Sequence, residues 1–157
     1  MKEDFTVHIC NSKEEFAIAI NITQDYLRWL GMNLDFQNTE KEFQVFESMY
    51  AVPEGCFVYA TINGVIAGGV AIRKLDAKIC EMKRLFVYSS SQGKGLGQIL
   101  CEKIISMARE LGYVKMRLDT VAKLKTAIRL YEKMGFYEIE AYCHNPDPTV
   151  KYMELEI

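Results

Sequence analysis

The sequence lacks an excess of charge of either sign. Its 157 residues include 19 basic and 21 acidic side chains, which gives a formal net charge of -2. Proteins that bind nucleic acid concentrate positive charge on one surface, so this balance argues against a DNA or RNA partner. Half of the residues are hydrophobic and a quarter are charged. We therefore predict that residues 1–157 form one globular domain.

Long hydrophobic runs are also missing. The longest apolar stretch, from Val65 to Ile72, is too short to cross a bilayer. The start of the chain is charged at Lys2, Glu3 and Asp4, which is unlike a signal peptide. The sequence predicts a soluble, cytoplasmic protein without a membrane partner.

Neither the cysteines nor the histidines have the spacing of a metal site. The five cysteines are scattered without a Cys-x-x-Cys pair, and His8 lies far from His144 in the sequence. An odd number of isolated cysteines favours buried, reduced thiols over a disulfide framework. We predict no metal site, and we interpret Cys80 and Cys101 as inert thiols because no histidine is close to them in sequence.

Hydrophobic periodicity divides the chain into helices and strands. Two capping boxes predict the starts of the first two helices: Ser12 with Glu15, and Thr39 with Glu42. Asn63-Gly64 predicts a hairpin, and Gly68-Gly69 predicts a bulge or a close backbone approach. The predicted order is β-α-α-β-β-β-α-β-α-β-β. It indicates an α/β (α+β) fold with a mixed, mostly antiparallel sheet of about seven strands flanked by helices.

A glycine-rich segment precedes the third long helix. It reads Gln92-Gly93-Lys94-Gly95-Leu96-Gly97. Glycines let the backbone approach an anion, while the free amides and the dipole of a helix start attract it. The spacing fits neither a P-loop nor the dinucleotide fingerprint, which fails at Gln98 and Leu100. The segment predicts a phosphate-binding turn and disfavours a nucleotide-dependent enzyme, with tight packing as the structural alternative.

This segment resembles the Gln/Arg-x-x-Gly-x-Gly/Ala signature of the GNAT N-acetyltransferase superfamily. Downstream, the segment from Ala127 to Phe136 resembles that family's Ala-x-x-x-Tyr-x-x-x-Gly-Phe pattern. The two patterns lie in the family's order, and the resemblance extends from Thr6 to Ile157. It implies a GNAT fold and transfer of an acetyl group from acetyl-CoA to a primary amine by direct attack. A non-catalytic acyl-CoA-binding regulatory module is the alternative.

The resemblance also implies which residues bind acetyl-CoA. Main-chain groups of Leu85, Phe86 and Val87 would bind pantetheine, the amides of the glycine-rich segment would bind the pyrophosphate, and Ala127 and Tyr131 would flank the thioester. The implied set is Leu85, Phe86, Val87, Gln92, Gly93, Lys94, Gly95, Leu96, Gly97 and Ala127. Lys94 and Arg84 are candidate side-chain partners of a phosphate. The family often has an asparagine three residues before Ala127, and this chain has Leu124 there.

Two residues are candidates for proton transfer. At pH 7 a lysine-like amine, with a pKa of about 10.4, is neutral in only about one molecule in two to three thousand, so a base is valuable. Glu81 occupies the strand position where similar enzymes carry a catalytic glutamate; a cross-strand ion pair is its structural alternative. Tyr131 is the candidate acid for the leaving thiolate. Because it lies on an apolar helical stripe, core packing is its alternative.

The acceptor is not identified by the sequence. In a GNAT-like architecture it would lie between the first two helices and the last loop. The side chains available there are Tyr26, Trp29, Phe36, Tyr142 and His144. A free amino acid, a polyamine, an antibiotic and a protein amine all remain open, so the partner is a small-molecule or peptide amine. A homodimer is equally open.

Overall fold

The computed structural model describes residues 3–31 and 39–157. Within these ranges the helices are α1 (Lys13–Leu30), α2 (Thr39–Gln44), α3 (Phe46–Met49), α4 (Leu96–Glu110) and α5 (Lys125–Met134). The strands are β1 (Phe5–Ile9), β2 (Cys56–Ile62), β3 (Val65–Lys74), β4 (Ile79–Val87), β5 (Lys115–Thr120), β6 (Tyr137–Ile139) and β7 (Lys151–Glu156). No helix in this described part combines the length and the apolarity that a membrane span requires.

All seven strands belong to one sheet, in the order β1-β2-β3-β4-β5-β7-β6. Only the β4–β5 pair is parallel, and the other neighbours are antiparallel. The predicted fold class, a mixed and mostly antiparallel sheet with helices on its faces, is therefore confirmed. One face packs against α4 and α5, and the other packs against α1 and α3.

Local signals fix several helix ends. The Ser12 hydroxyl accepts a hydrogen bond from the Glu15 amide at 3.1 Å, as the first capping box predicts. Helix α1 ends at Gly31, whose φ of 67° is the left-handed conformation expected of a terminating glycine. Helix α2 also forms, but Glu42, the glutamate of its predicted capping box, has its carboxylate bound elsewhere. The carboxylate of Glu42 is held by Arg84 and Tyr50 in the interior.

A bulge in β4 changes the direction of that strand. Gly69 pairs with Phe86 and Ala71 pairs with Lys83, so one residue of β3 lies opposite two residues of β4. One of the two, Arg84, has a φ of 64°, which is unusual for a residue with a side chain. A Cβ atom on Gly68 would lie 2.4 Å from the Phe86 carbonyl oxygen, so the predicted close backbone approach is confirmed.

Strands β4 and β5 separate before the bulge is reached. They pair only from Ile79 with Lys115 to Glu81 with Arg117. Both strands continue, β4 to Val87 and β5 to Thr120, without pairing to each other. The edge of β4 that faces β5 therefore keeps main-chain groups available for a ligand.

Candidate active site

The gap between the two separated strands opens into a cavity of about 680 Å³, here called the main cavity. Its walls are the second half of β4, the end of β5, and the first turns of α4 and α5. Tyr26 and Trp29 of α1 close one side. The volume lies in the range of small-molecule and cofactor sites.

The start of α4 supplies main-chain donors to the main cavity. Gly95 precedes the helix with a φ of 78°, and no side chain caps it. The first intrahelical bond runs from the Ile99 amide to the Gly95 carbonyl, so the amides of Leu96, Gly97 and Gln98 have no acceptor within the helix. A helix of 15 residues also directs the positive end of its dipole to this place. This turn is therefore built to bind an anion.

Two hydroxyl groups line the main cavity without a partner among the residues that the structure describes. Thr120, only 4 % exposed, has its Oγ1 atom buried and without a hydrogen bond. Tyr131 is 7 % exposed, and burial raises the pKa of its phenol well above the ordinary value. A buried polar atom without a partner is costly, so the Thr120 hydroxyl is available to bind a ligand or a water molecule.

A second cavity of about 360 Å³, here called the side cavity, adjoins the first. It is rich in charged side chains from α2 and from three neighbouring strands: Lys41, Glu42, Arg73, Glu81, Lys83 and Asp119. Cys143 and His144, in the loop before β7, complete its wall. A pocket with this lining suits a polar or charged small molecule.

Glu81 is buried in the wall of the side cavity. Its Oε1 atom accepts a hydrogen bond from Arg73 Nε at 2.7 Å, and its Oε2 atom accepts one from the Tyr142 hydroxyl at 2.6 Å. The Lys83 ammonium lies 4.0 Å from Oε1. Arg73 is directly opposite Glu81 in the β3–β4 ladder. The cross-strand ion pair that the sequence left as an alternative is thus present, and the same carboxylate faces a cavity.

Glu42 and Arg84 form an ion pair beneath the β4 bulge. Arg84 Nη2 lies 2.6 Å from Glu42 Oε1, Arg84 Nε lies 3.2 Å from Oε2, and the Tyr50 hydroxyl donates to Oε2 at 2.7 Å. Burial alone would raise the pKa of Glu42, but the hydrogen bonds and the charge of Arg84 hold that pKa below its ordinary value. The ion pair fixes the side chain of Arg84, the residue whose φ is positive.

A model of the acetyltransferase (GNAT) family matches residues 21–136, which is most of the chain. The chain belongs to the GNAT acetyltransferase family. An uncharacterized N-acetyltransferase of Schizosaccharomyces pombe is 41% identical over 138 residues, which cover 87% of this chain and 85% of that protein. An uncharacterized N-acetyltransferase of Dictyostelium discoideum is 27% identical, with 96% of this chain and 99% of that protein covered.

Solved structures of other acetyltransferases share the fold. An acetyltransferase of Streptococcus agalactiae superposes with a TM-score of 0.74 at 22% identity, covering 98% of both chains. A protein of Salmonella typhimurium, solved with acetyl-CoA, gives 0.69 at 20% identity, covering 98% of this chain and 94% of that one. The PaiA N-acetyltransferase of Thermoplasma acidophilum, solved with coenzyme A, gives 0.70 at 16% identity, covering 97% and 99%.

Most donor-binding residues that the GNAT resemblance implies line the main cavity. They are Leu85, Phe86, Val87, Gln92, Gly93, Gly95, Leu96, Gly97 and Ala127. Lys94 differs, because its ammonium lies 2.6 Å from Glu3 Oε1 in an ion pair. Arg84 lines the main cavity, but its guanidinium forms an ion pair with Glu42.

The candidate acceptor-binding residues and the candidate proton-transfer residues are divided between the two cavities. Tyr131, Tyr26 and Trp29 line the main cavity, whereas Glu81 and His144 line the side cavity. Tyr142 reaches this region through its hydrogen bond to Glu81. Phe36 lies outside the described residues. The catalytic pair that the sequence predicts is therefore distributed over two adjoining pockets.

The polar residues of the site that were not predicted include Lys83, Asp119 and Thr120. Each belongs to a strand segment with ordinary alternation, so no local pattern marks it. Cys80 and Cys101 behave as predicted for inert thiols, since both are fully buried and burial raises the pKa of each to about 12.

Proposed function

We propose that this GNAT protein transfers an acetyl group from acetyl-CoA, held in the main cavity, to a primary amine that occupies the side cavity. The donor is acetyl-CoA, the ligand of the Salmonella typhimurium structure with the same fold. The observation that carries the proposal is the connection of an anion-binding helix start to a charged second pocket through the gap between β4 and β5. Through this opening an amine in the side cavity can reach the thioester of acetyl-CoA in the main cavity.

Three features of the main cavity support acetyl-CoA as its ligand. The uncapped start of α4 suits a diphosphate, because its amides and dipole both favour negative charge. The open edge of β4 suits the amide groups of pantetheine, which can pair with it as a further strand would. Thr120 adds a buried hydroxyl that a ligand amide or carbonyl can satisfy. A ligand that is anionic at one end and carries amides in its middle matches all three.

The chain's own residues are assigned as follows. Bound acetyl-CoA supplies a thioester carbonyl that a neutral amine attacks while the thiolate departs. Glu81 takes a proton from the amine, directly or through a water molecule. Main-chain amides near Phe86 and Val87 donate to the carbonyl oxygen, whose negative charge grows during attack. The assignment agrees with the position of Glu81 in the pocket that receives the amine.

Tyr131 is assigned as the donor to the leaving thiolate. Its raised pKa keeps the phenol protonated at neutral pH, and the hydroxyl forms no hydrogen bond with the described part of the chain. A neutral phenol beside the sulfur can stabilise the thiolate by donating a hydrogen bond or its proton.

Binding and turnover measured together test the proposed function. Calorimetry of the purified protein should show binding of coenzyme A and acetyl-CoA, while ATP and NAD should not compete. Release of coenzyme A with a panel of amines should then show acetylation, identified by mass spectrometry. Binding without turnover on any amine would favour the non-catalytic module, and no binding of coenzyme A would refute the proposal.

Replacement of Thr120 by valine tests the fit of the donor. Because the Thr120 hydroxyl has no partner among residues 3–31 and 39–157, its removal should leave the melting temperature unchanged or raise it. The bound donor loses a hydrogen bond, so its Kd should rise about five- to tenfold. Calorimetry and thermal unfolding of the same samples measure the two effects.

Thr23→Val is the matched control for this experiment. Thr23 is fully buried, but its hydroxyl donates to the Ala19 carbonyl oxygen at 2.9 Å. This variant should lose stability and keep its affinity for acetyl-CoA. An unchanged Kd in Thr120→Val would place the hydroxyl away from the ligand.

A further inference from the structure

Two side chains line both cavities: Lys83 and Asp119. Every other described residue of the side cavity faces that cavity alone. The two shared residues therefore mark the passage through which the acceptor must present its amine to the donor.

The strand register explains why these two residues are at the passage. The last β4–β5 pair is Glu81 with Arg117, and Lys83 and Asp119 lie two residues farther along each strand. Residues two apart in a strand share a face, so both point to the face that carries Glu81. In a continuous ladder they would be neighbours. The strands have separated at this point, and no ion pair within 4.0 Å joins the two among the salt bridges of the described chain.

Two carboxylates and one guanidinium of the side cavity are already compensated. Glu42 is held by Arg84, and Glu81 is held by Arg73. Lys83 is different: its side chain is 14% exposed, and its only ion-pair contact among the described residues is the long one of 4.0 Å to Glu81. Burial, followed by the charge of Arg84, lowers the pKa of Lys83. This is the response of an ammonium group that is short of an anionic partner.

Asp119 is the complementary group. Its Oδ2 atom accepts a hydrogen bond from Asn145 Nδ2 at 3.0 Å, which holds the carboxylate in place without neutralising it. No lysine, arginine or histidine nitrogen in the described ranges forms a salt bridge with it. The passage thus offers one anion and one cation on opposite sides.

We propose that the acceptor is a free amino acid, whose ammonium group binds Asp119 and whose carboxylate binds Lys83. This inference rests on the proposed function and names the substrate class of the same site. A zwitterion satisfies both groups, whereas a simple amine leaves Lys83 without its anion. A polyamine would bring a second ammonium group close to Lys83 and Lys41, where like charges repel. Asp119 positions the amine beside the main cavity, and Lys83 determines specificity.

Matched pairs of acceptors test the proposal with the full chain and acetyl-CoA. Each L-amino acid is compared with its own carboxamide, which keeps the amine and the side chain but lacks the carboxylate. For the preferred amino acid, kcat/KM should exceed that of the carboxamide at least about tenfold, the usual effect of a hydrogen bond to a charged group. The difference should appear mainly in KM.

Variants then assign the preference to a residue. Lys83→Met should reduce kcat/KM for the amino acid about tenfold and leave the carboxamide nearly unchanged, because only the acid uses the ammonium group. Asp119→Asn should weaken both acceptors, since both carry the ammonium group. Lys78→Met, at an exposed lysine in the turn before β4, removes the same charge and should change neither. Thermal unfolding and the Kd of acetyl-CoA verify that each variant is folded.

The outcomes separate this inference from the proposed function. Acetylation of polyamines or peptide lysines, with free amino acids inert, would overturn the amino-acid proposal and leave acetyl transfer intact. Equal losses for acid and carboxamide in Lys83→Met would also overturn it. Absence of coenzyme A binding together with inert amines of every class would overturn the proposed function itself.

Discussion

Replacement of Glu42 by glutamine is expected to lower the free energy of unfolding by about 3 kcal/mol at pH 7. The change keeps the size of the side chain but removes the negative charge that compensates the Arg84 guanidinium, and both groups are only 4% exposed. Desolvation of the arginine is then no longer offset by an ion pair. Urea denaturation followed by circular dichroism measures the loss.

The pH dependence of this loss follows from the pKa of Glu42. Burial opposes its ionisation, yet Arg84 holds the pKa below the ordinary value. A carboxylate with a depressed folded-state pKa stabilises the protein fully above its unfolded-state pKa, and this contribution disappears as the pH falls through the folded-state pKa. The difference between wild type and Glu42→Gln should therefore be constant above about pH 5 and shrink in more acidic solution.

Glu3→Gln is the control for charge alone. Glu3 also pairs with a cation, the Lys94 ammonium, but both side chains are more than a third exposed, at 37% and 35%. Exposed pairs contribute at most about 1 kcal/mol, so this variant should unfold nearly as the wild type does. A loss in Glu42→Gln as small as in the control would show that the buried pair does not stabilise the fold.

The features predicted from the sequence are those that neighbouring residues determine. Ser12 and Glu15 are three residues apart and cap α1 as expected. Gly135 ends α5 with a φ of 105°, and the glycine-rich turn precedes α4 with positive φ at Gly93 and Gly95. Each of these signals depends only on residues that lie within about one helical turn of each other. Because strand–helix–strand units pair in parallel and hairpins pair antiparallel, the fold class was also predictable.

The unpredicted features depend on residues far apart in the chain. Glu42 has the spacing of a capping residue, and only the folded chain brings Arg84, 42 positions away, to its carboxylate. The separation of β4 from β5 gives Lys83 and Asp119 their shared position. Thr120 is notable for a missing hydrogen bond, which is a property of its surroundings. None of these has a local pattern, since each arises from tertiary packing.

The change Glu81→Gln is expected to lower kcat/KM at pH 7 about a hundredfold, the smaller end of the usual contribution of a general base. Glutamine has nearly the shape of glutamate and can still accept a hydrogen bond from Arg73, but it cannot take a proton from the amine. The deficit should diminish as the pH approaches about 10, because solvent then deprotonates the acceptor amine without help. Initial rates from pH 6 to 10 give the two profiles.

Tyr131→Phe provides the comparison that separates the two proton-transfer roles. Loss of the phenol removes the donor to the leaving thiolate, so the rate should fall by a similar factor at every pH while the Kd of acetyl-CoA changes little. If Glu81→Gln instead keeps the wild-type pH profile, Glu81 serves only its ion pair with Arg73, the structural alternative. A pH-dependent deficit in Asp119→Asn would then assign the base to Asp119, which faces both cavities at the passage.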